Sequence, residues 1–275
     1  MRTIIVDPYD PAWPDEFEKI RDYLWPHLSD IALEIVHTGS TSVPGLAAKP
    51  IIDFNIVIES YDVFPQIVER LAKLGFEHEG DLGVKSREAF RRLKSDEFMQ
   101  YHMYVCPKDS SELERQILFR NYLCGHDDAR DEYAALKQSL AEKHRHDIEA
   151  YVAGKHDFVM NIIDLARSEN FWRAIDKLVS ESKVIIDRPK GSRHPKYSNC
   201  IYPLDYGYLD NTSSMDGNGI DVWKGSGGDY IDAIICTVDL LKRDSEMKIL
   251  IGCTEDEKQL VLPNHEFMKG ILIRR

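Results

Sequence analysis

Two short stretches of this chain hold residues suited to phosphate and metal chemistry. The first is Tyr202-Pro-Leu-Asp-Tyr-Gly-Tyr208 followed by Met215-Asp-Gly-Asn-Gly-Ile-Asp221, which sets Asp216, Asn218 and Asp221 within six residues beside a tyrosine-rich run. Magnesium prefers oxygen ligands and keeps several of its waters, so aspartates on a turn suit it better than His or Cys. The phenols of Tyr202 and Tyr206 can donate to phosphate oxygens. A surface Asp-Gly turn between strands is the bland alternative, and that dipeptide is a common hairpin signal. The second stretch is Gly39-Ser40 with Asp53-x-Asn55. A Gly-Ser turn brings backbone N–H groups against phosphates while a nearby carboxylate holds a metal. Its alternative is an ordinary turn before a half-buried strand.

The elements that must position these groups follow from periodicity. Residues 14–28 predict an amphipathic helix with Phe17, Ile20, Tyr23 and Leu24 as its apolar stripe. Residues 34–37 and 50–58 predict strands; in the second, Asp53 and Asn55 point to one face. Further helices are expected at 64–74, 111–123, 129–143 and 158–178, with a strand at 101–105 that carries His102. His102 and His37 are each a candidate ligand or acid, or a hydrogen-bonded core histidine. Beyond Lys183 the helical text gives way to β-branched runs broken by Gly, Asn, Asp and Pro. Two domains, 1–178 and 179–275, are expected, joined near Ser180-Glu-Ser-Lys183.

From Val184 to Lys248 the chain resembles a soluble family I inorganic pyrophosphatase. The resemblance rests on Ile185-Ile-Asp-Arg-Pro-Lys-Gly-Ser192, Lys196-Tyr197, the Tyr-Pro-x-x-Tyr-Gly-Tyr run, Asp-Gly-x-x-x-Asp and Glu246-x-Lys248. It implies Asp216, Asp221, Asp239 and Glu246 as metal ligands, with Asp187 in the place of an early glutamate. Lys196, Tyr206 and Lys248 would hold phosphate oxygens. Asn218 stands where the family has an aspartate that helps generate the attacking hydroxide, and Ser198 where a glutamate is expected. An amide carries no charge and accepts no proton, so metal binding and water activation weaken. The chain ends before the family's C-terminal helix, which implies a shortened relative.

Residues 3 to 170 resemble the GrpB family, also known as UPF0157, through His37-Thr-Gly-Ser-Thr-Ser-Val-Pro-Gly-Leu-Ala-Ala-Lys-Pro-Ile-Ile-Asp53, Tyr101-His-Met-Tyr-Val105, Leu118-Phe-Arg-Asn-Tyr-Leu123 and Tyr151-x-x-x-Lys155-x-x-Phe158. That likeness implies a nucleotidyltransferase-like fold in which Gly39-Ser40 cradles a triphosphate. Asp53 would bind Mg²⁺ there, with Asn55 where a second acidic residue belongs, His102 as the nearest polar group on the later strand, and Lys155 as a phosphate contact.

Length and composition agree with two globular cores: 275 residues, 43% hydrophobic. A net charge of -12 argues against general nucleic-acid binding. No apolar run reaches the length of a membrane span, so no membrane partner and a cytoplasmic location are expected. The cysteines Cys106, Cys124, Cys200, Cys236 and Cys253 are five and widely spaced, and read as reduced thiols.

The expected architecture is α+β: a nucleotidyltransferase-like mixed sheet with helices, then a small β-barrel of pyrophosphatase type. The expected function is Mg²⁺-dependent phosphoanhydride chemistry, with Mn²⁺ as the alternative ion. The second domain would hydrolyse pyrophosphate and the first would act on a nucleotide. A catalytically faded nucleotide- or polyphosphate-binding module and a scaffold with vestigial sites are the other readings.

Overall fold

A computed structural model describes residues 3–94, 97–195, 199–214, 217–263 and 266–275, in two compact units, Met1–Arg167 and Ser168–Arg275. The chain begins with α1 (Trp13–Leu28), β1 (Ala32–Thr38), β2 (Ile52–Ile58), α2 (Phe64–Lys73), β3 (Phe76–Gly80), β4 (Glu88–Arg92) and β5 (Tyr101–Pro107). Then come α3 (Ser111–Gly125), α4 (Asp127–Lys143), α5 (Ile148–Ala153) and α6 (His156–Ser180). Helix α1 starts with Pro in its first turn followed by Asp15 and Glu16, which suit the positive end of the helix dipole. Its predicted stripe is buried at Phe17, Ile20 and Leu24.

The first sheet runs β1-β2-β5-β4-β3. Only β2 and β5 pair in parallel, so the sheet is mixed, as expected. Alternation along β2 divides its faces. Phe54, Ile56 and Ile58 enter a core shared with α1 and α2, while Val57 packs with Cys106 and Leu113 on the other side. Asp53 and Asn55 share that second face. Strands β3 and β4 are not among those predicted; Phe76-Glu-His-Glu-Gly80 is mostly polar and exposed at the sheet edge.

The second unit adds β6 (Val184–Arg188), β7 (Asp205–Leu209), β8 (Ile220–Lys224), β9 (Ile231–Asp239), β10 (Asp244–Ile251), α7 (Glu255–Val261) and β11 (Met268–Arg274). Its sheet order is β11-β9-β10-β8-β7-β6, with β8 and β10 parallel. Gly207 lets β6 and β7 close up, since a Cβ there would sit 1.8 Å from the Ile185 carbonyl oxygen. One face packs Leu209, Val222, Ile234 and Ile249 against Trp172 and Ile175 of α6. The opposite face carries Tyr206, Trp223, Ile235 and Leu250. Among the described residues the ladder ends at β11 and β6 with no pairing between them, so it is an open mixed sheet rather than the closed barrel expected.

The units divide within α6, not at 178/179. Trp172 and Ile175 belong to the second core, which draws the last turns of the helix with them.

Candidate functional site

In the first unit, Asp53 on β2 and His102 on β5 are register partners in the parallel pair. Asp53 Oδ1 lies 2.8 Å from His102 Nδ1. With the carboxylate as acceptor, Nδ1 carries the hydrogen and Nε2 presents a lone pair. Gly39 has φ +69°, and a Cβ there would fall 2.3 Å from Asp53 Oδ2. Only glycine allows the turn to lie against the carboxylate. Ser42 Oγ donates to the Gly39 carbonyl at 2.6 Å, and a hydrogen bond joins Ser40 to the Tyr133 phenol of α4.

Lysines gather around this turn. Lys155 lies over the Tyr151 ring at 4.6 Å from its centroid, and Lys49 over the same ring at 5.4 Å. Lys137 is 2% exposed, 4.6 Å from the Tyr133 ring centroid, and donates to the Ala47 carbonyl. Burial, then repulsion from Lys155, pulls Lys137 down to about 7. Burial, then Lys49, brings Lys155 down to about 8, while Asp53 opposes the shift. Lys155 also lines a cavity of about 580 Å³ with Arg115, Val152, His156 and Asp157. Both shifts have burial as their largest cause, and each lysine's neighbouring lysine adds to it.

Asn55 is not part of this cluster. It is fully buried: its amide nitrogen donates to Thr38 Oγ1 at 3.0 Å and Gln116 Oε1 at 2.7 Å, and its carbonyl accepts from Cys106 Sγ. Those partners fix the sheet to α3, so the residue is structural. His37 is also structural: it stacks on Phe17 with ring centroids 4.6 Å apart, and burial pushes it down to about 4. Gly39, Ser40, Asp53 and His102 lie together, with Lys155 within electrostatic reach of Asp53. Sequence reading passed over Lys137, Lys49 and Tyr133. The signal was present in twin Tyr-x-x-x-Lys spacings, Tyr133/Lys137 and Tyr151/Lys155, and in a lysine on the buried α4 stripe of Tyr133, Lys137 and Ala141.

In the second unit Lys248 and Asp221 are register partners on β10 and β8. Lys248 Nζ lies 2.5 Å from Asp221 Oδ2, 2.6 Å from Glu246 Oε2 and 3.1 Å from Tyr206 Oη. Burial alone would lower Lys248, but Asp221 and Glu246 outweigh it and raise the ammonium. Burial likewise works against the Glu246 carboxylate, yet Lys248 and Lys242 hold it below its ordinary value. Burial, Asp221 and Glu246 all push the Tyr206 phenol up. Arg188 covers the Tyr202 and Tyr206 rings.

Of the remaining pyrophosphatase-type positions, Asp239 and Asn218 are among the described residues. Asp239 Oδ1 accepts from the backbone N–H groups of Leu241 and Lys242, so its carboxylate closes its own turn. Asn218 is exposed, and its backbone carbonyl accepts from Ser214 N–H at 2.6 Å. Lys196 and Asp216 lie outside the described residues, as do Tyr197 and Ser198. Among the described residues no group of three His, Cys, Asp or Glu side chains is gathered as a metal cage. The cation between Asp221 and Glu246 is the lysine, and those residues do not fit a resident Mg²⁺. Asp53 fits one differently: Mg²⁺ commonly binds one or two carboxylates together with substrate phosphates and waters.

Comparison with known proteins gives a consistent picture for the first unit. A family model described as GrpB protein matches residues 3–165. UPF0157 protein YqkA of Bacillus subtilis is 32% identical over 158 residues, covering 58% of this chain and 46% of YqkA, so this chain spans under half of that relative. The crystal structure of the conserved protein GrpB from Enterococcus faecalis shares 33% identity at a TM-score of 0.54, over 61% of this chain and 99% of that one. Cid1 in complex with its product ApU aligns over 50% of this chain and 43% of its own, at 16% identity and a TM-score of 0.38, too low to establish a shared fold. No described helix is long and apolar enough to cross a membrane.

Proposed function

The chain belongs to the GrpB family, and we propose that its first unit binds the polyphosphate of a nucleotide and transfers the nucleotidyl group to an acceptor. One observation carries this reading: Gly39 and Ser40, a carboxylate–imidazole pair, and Lys49, Lys137 and Lys155 converge from separate elements on one place. The Gly39-Ser40 turn and Lys155 would hold phosphate oxygens, and the charge of buried Lys137 and half-buried Lys49 would favour the anion electrostatically. Asp53 would hold the Mg²⁺ that arrives with the nucleotide, an ion that supplies neutralisation of phosphate charge. His102, oriented by Asp53, takes a proton at Nε2. The test is release of pyrophosphate from nucleoside triphosphates by the full chain with Mg²⁺ or Mn²⁺. Release by wild type and loss in Asp53→Asn support the reading; equal release by both refutes it.

The Asp221–Lys248–Glu246 group with Tyr206 and Arg188 favours a second reading, inorganic diphosphatase-like chemistry in the second unit. Removing pyrophosphate would pull a nearly balanced nucleotidyl transfer forward. Lys248, Tyr206 and Arg188 would bind the anion. Phosphate release from pyrophosphate tests it, and no release, with no effect of Asp221→Ala, ends it.

A further inference from the structure

Strand β4 stays paired with β3 as far as Arg92, opposite Phe76, and β5 stays paired with β2 as far as Tyr101, opposite Ile52. Between β4 and β5 themselves, the pairing stops at Phe90 opposite Met103. The two strands therefore part beyond that point. The gap is a cavity of about 310 Å³, the size of a small-molecule site, and His102 forms part of its wall.

Among the described residues, Arg91, Arg92, Lys94 and Glu79 line the cavity. Arg91 is held in place by Glu77 and Glu79, with Nε 2.9 Å from Glu77 Oε2 and 3.2 Å from Glu79 Oε1. Arg92 is fixed over the rings of Tyr23, Phe76 and Phe98 at 5.1 to 5.9 Å. A guanidinium held by packing loses little freedom when it takes an anion, and Arg matches phosphate oxygens in pairs.

We propose that this cleft is the acceptor site, and that the acceptor is a small alcohol bearing a phosphate group. The proposal rests on the nucleotidyl-transfer reading above. The acceptor's phosphate sits between Arg91 and Lys94, and its hydroxyl reaches His102 Nε2. The hydroxyl oxygen forms the new bond to the α-phosphorus as the bond to the pyrophosphate oxygen breaks. Pyrophosphate leaves with that electron pair, and the hydroxyl proton passes to Nε2.

Nitrogen-15 NMR of the histidine rings of the full chain, with His102 assigned through His102→Gln, tests the cleft with glycerol 3-phosphate as probe and glycerol as control. Glycerol 3-phosphate moves the His102 signals saturably and glycerol does not. The Arg91→Gln/Lys94→Gln double variant weakens the response about tenfold, as loss of charge-assisted bonds predicts. Both side chains are exposed, and Lys94→Gln alone gives a smaller loss should the pair perturb folding. An unmoved His102, or an equal response in wild type and variants, overturns the proposal. ATP titration of the same samples separates the two readings. ATP affinity unchanged in the double variant keeps the nucleotide site apart from the cleft, whereas absent ATP binding in wild type removes the nucleotide reading while the glycerol 3-phosphate result stands by itself.

Discussion

Asp53 and His102 face each other across the parallel β2–β5 pair, 2.8 Å from carboxylate to imidazole, and the Gly39 turn lies against the far oxygen of the same carboxylate. Backbone pairing therefore fixes the dyad before any ligand binds, and a glycine fixes its distance from the turn. The lysines from α4, the loop before β2 and the residue before α6 supply charge around it.

Gly39→Ala should displace Asp53 or the turn, because the new methyl would overlap Asp53 Oδ2 and φ +69° strains any other residue. The expected outcome is a fall in stability of about 1–3 kcal/mol by urea denaturation. Nucleotide binding should be lost with it under conditions where the variant is still folded. An unchanged affinity would mean that the turn does not form the site.

Asn55→Asp should not create a second metal ligand. The position is fully buried and uses its amide as a donor to Thr38 and Gln116, so a carboxylate there meets acceptors and no water. Loss of about 2–5 kcal/mol is expected on unfolding, from a buried charge or an unpaired acid. A stable variant with enhanced Mg²⁺-dependent turnover would contradict this.

Lys137 makes stability depend on pH. Its folded pKa of about 7 lies below its ordinary value of 10.5, so between them the unfolded chain binds more protons. Stability from this group therefore rises with pH across that window and its burial cost is largest below about 7. The slope is at most about 1.4 kcal/mol per pH unit. Denaturation at pH 7 and pH 9 should show wild type gaining more than Lys137→Met over the interval. An identical gain in both would place the charge elsewhere.

Lys155 should tune affinity in the opposite direction. It gains its proton as pH falls through about 8, so polyphosphate binding should tighten between pH 9.5 and pH 7. Calorimetric titration checks this, and a flat profile would separate Lys155 from the anion.

Much of this was legible beforehand, and the reasons for the rest are physical. Periodicity located α1, β2, β5 and α3, because their apolar faces are continuous. Gly39, Ser40, Asp53 and His102 could be placed together since a turn and two adjacent strands carry them. Lys49 and Lys137 could not, because their approach depends on how α4 and the loop fold back, and spacing along the chain does not record that. In the second unit, motif order named Asp221, Glu246, Lys248 and Tyr206, whose side chains are in contact. It did not show that Lys248 bridges the acids, nor that Asp239 closes its own turn.

Lys248→Met leaves Asp221 and Glu246 facing each other without their cation. The three groups are largely but not wholly buried, so about 2–4 kcal/mol of stability should be lost. Added Mg²⁺ should raise the melting temperature of the variant and leave that of wild type unchanged. A Mg²⁺-induced rise in wild type that Asp221→Ala abolishes would show that the ion displaces the lysine.

The most direct measurement is calorimetric titration of a nucleoside triphosphate with Mg²⁺ into the full chain, comparing wild type with Lys49→Met/Lys155→Met. Saturable binding in wild type that weakens at least tenfold in the double variant is the expected result. Equal affinity in both proteins, or none in wild type, would contradict a polyphosphate site at the Gly39-Ser40 turn.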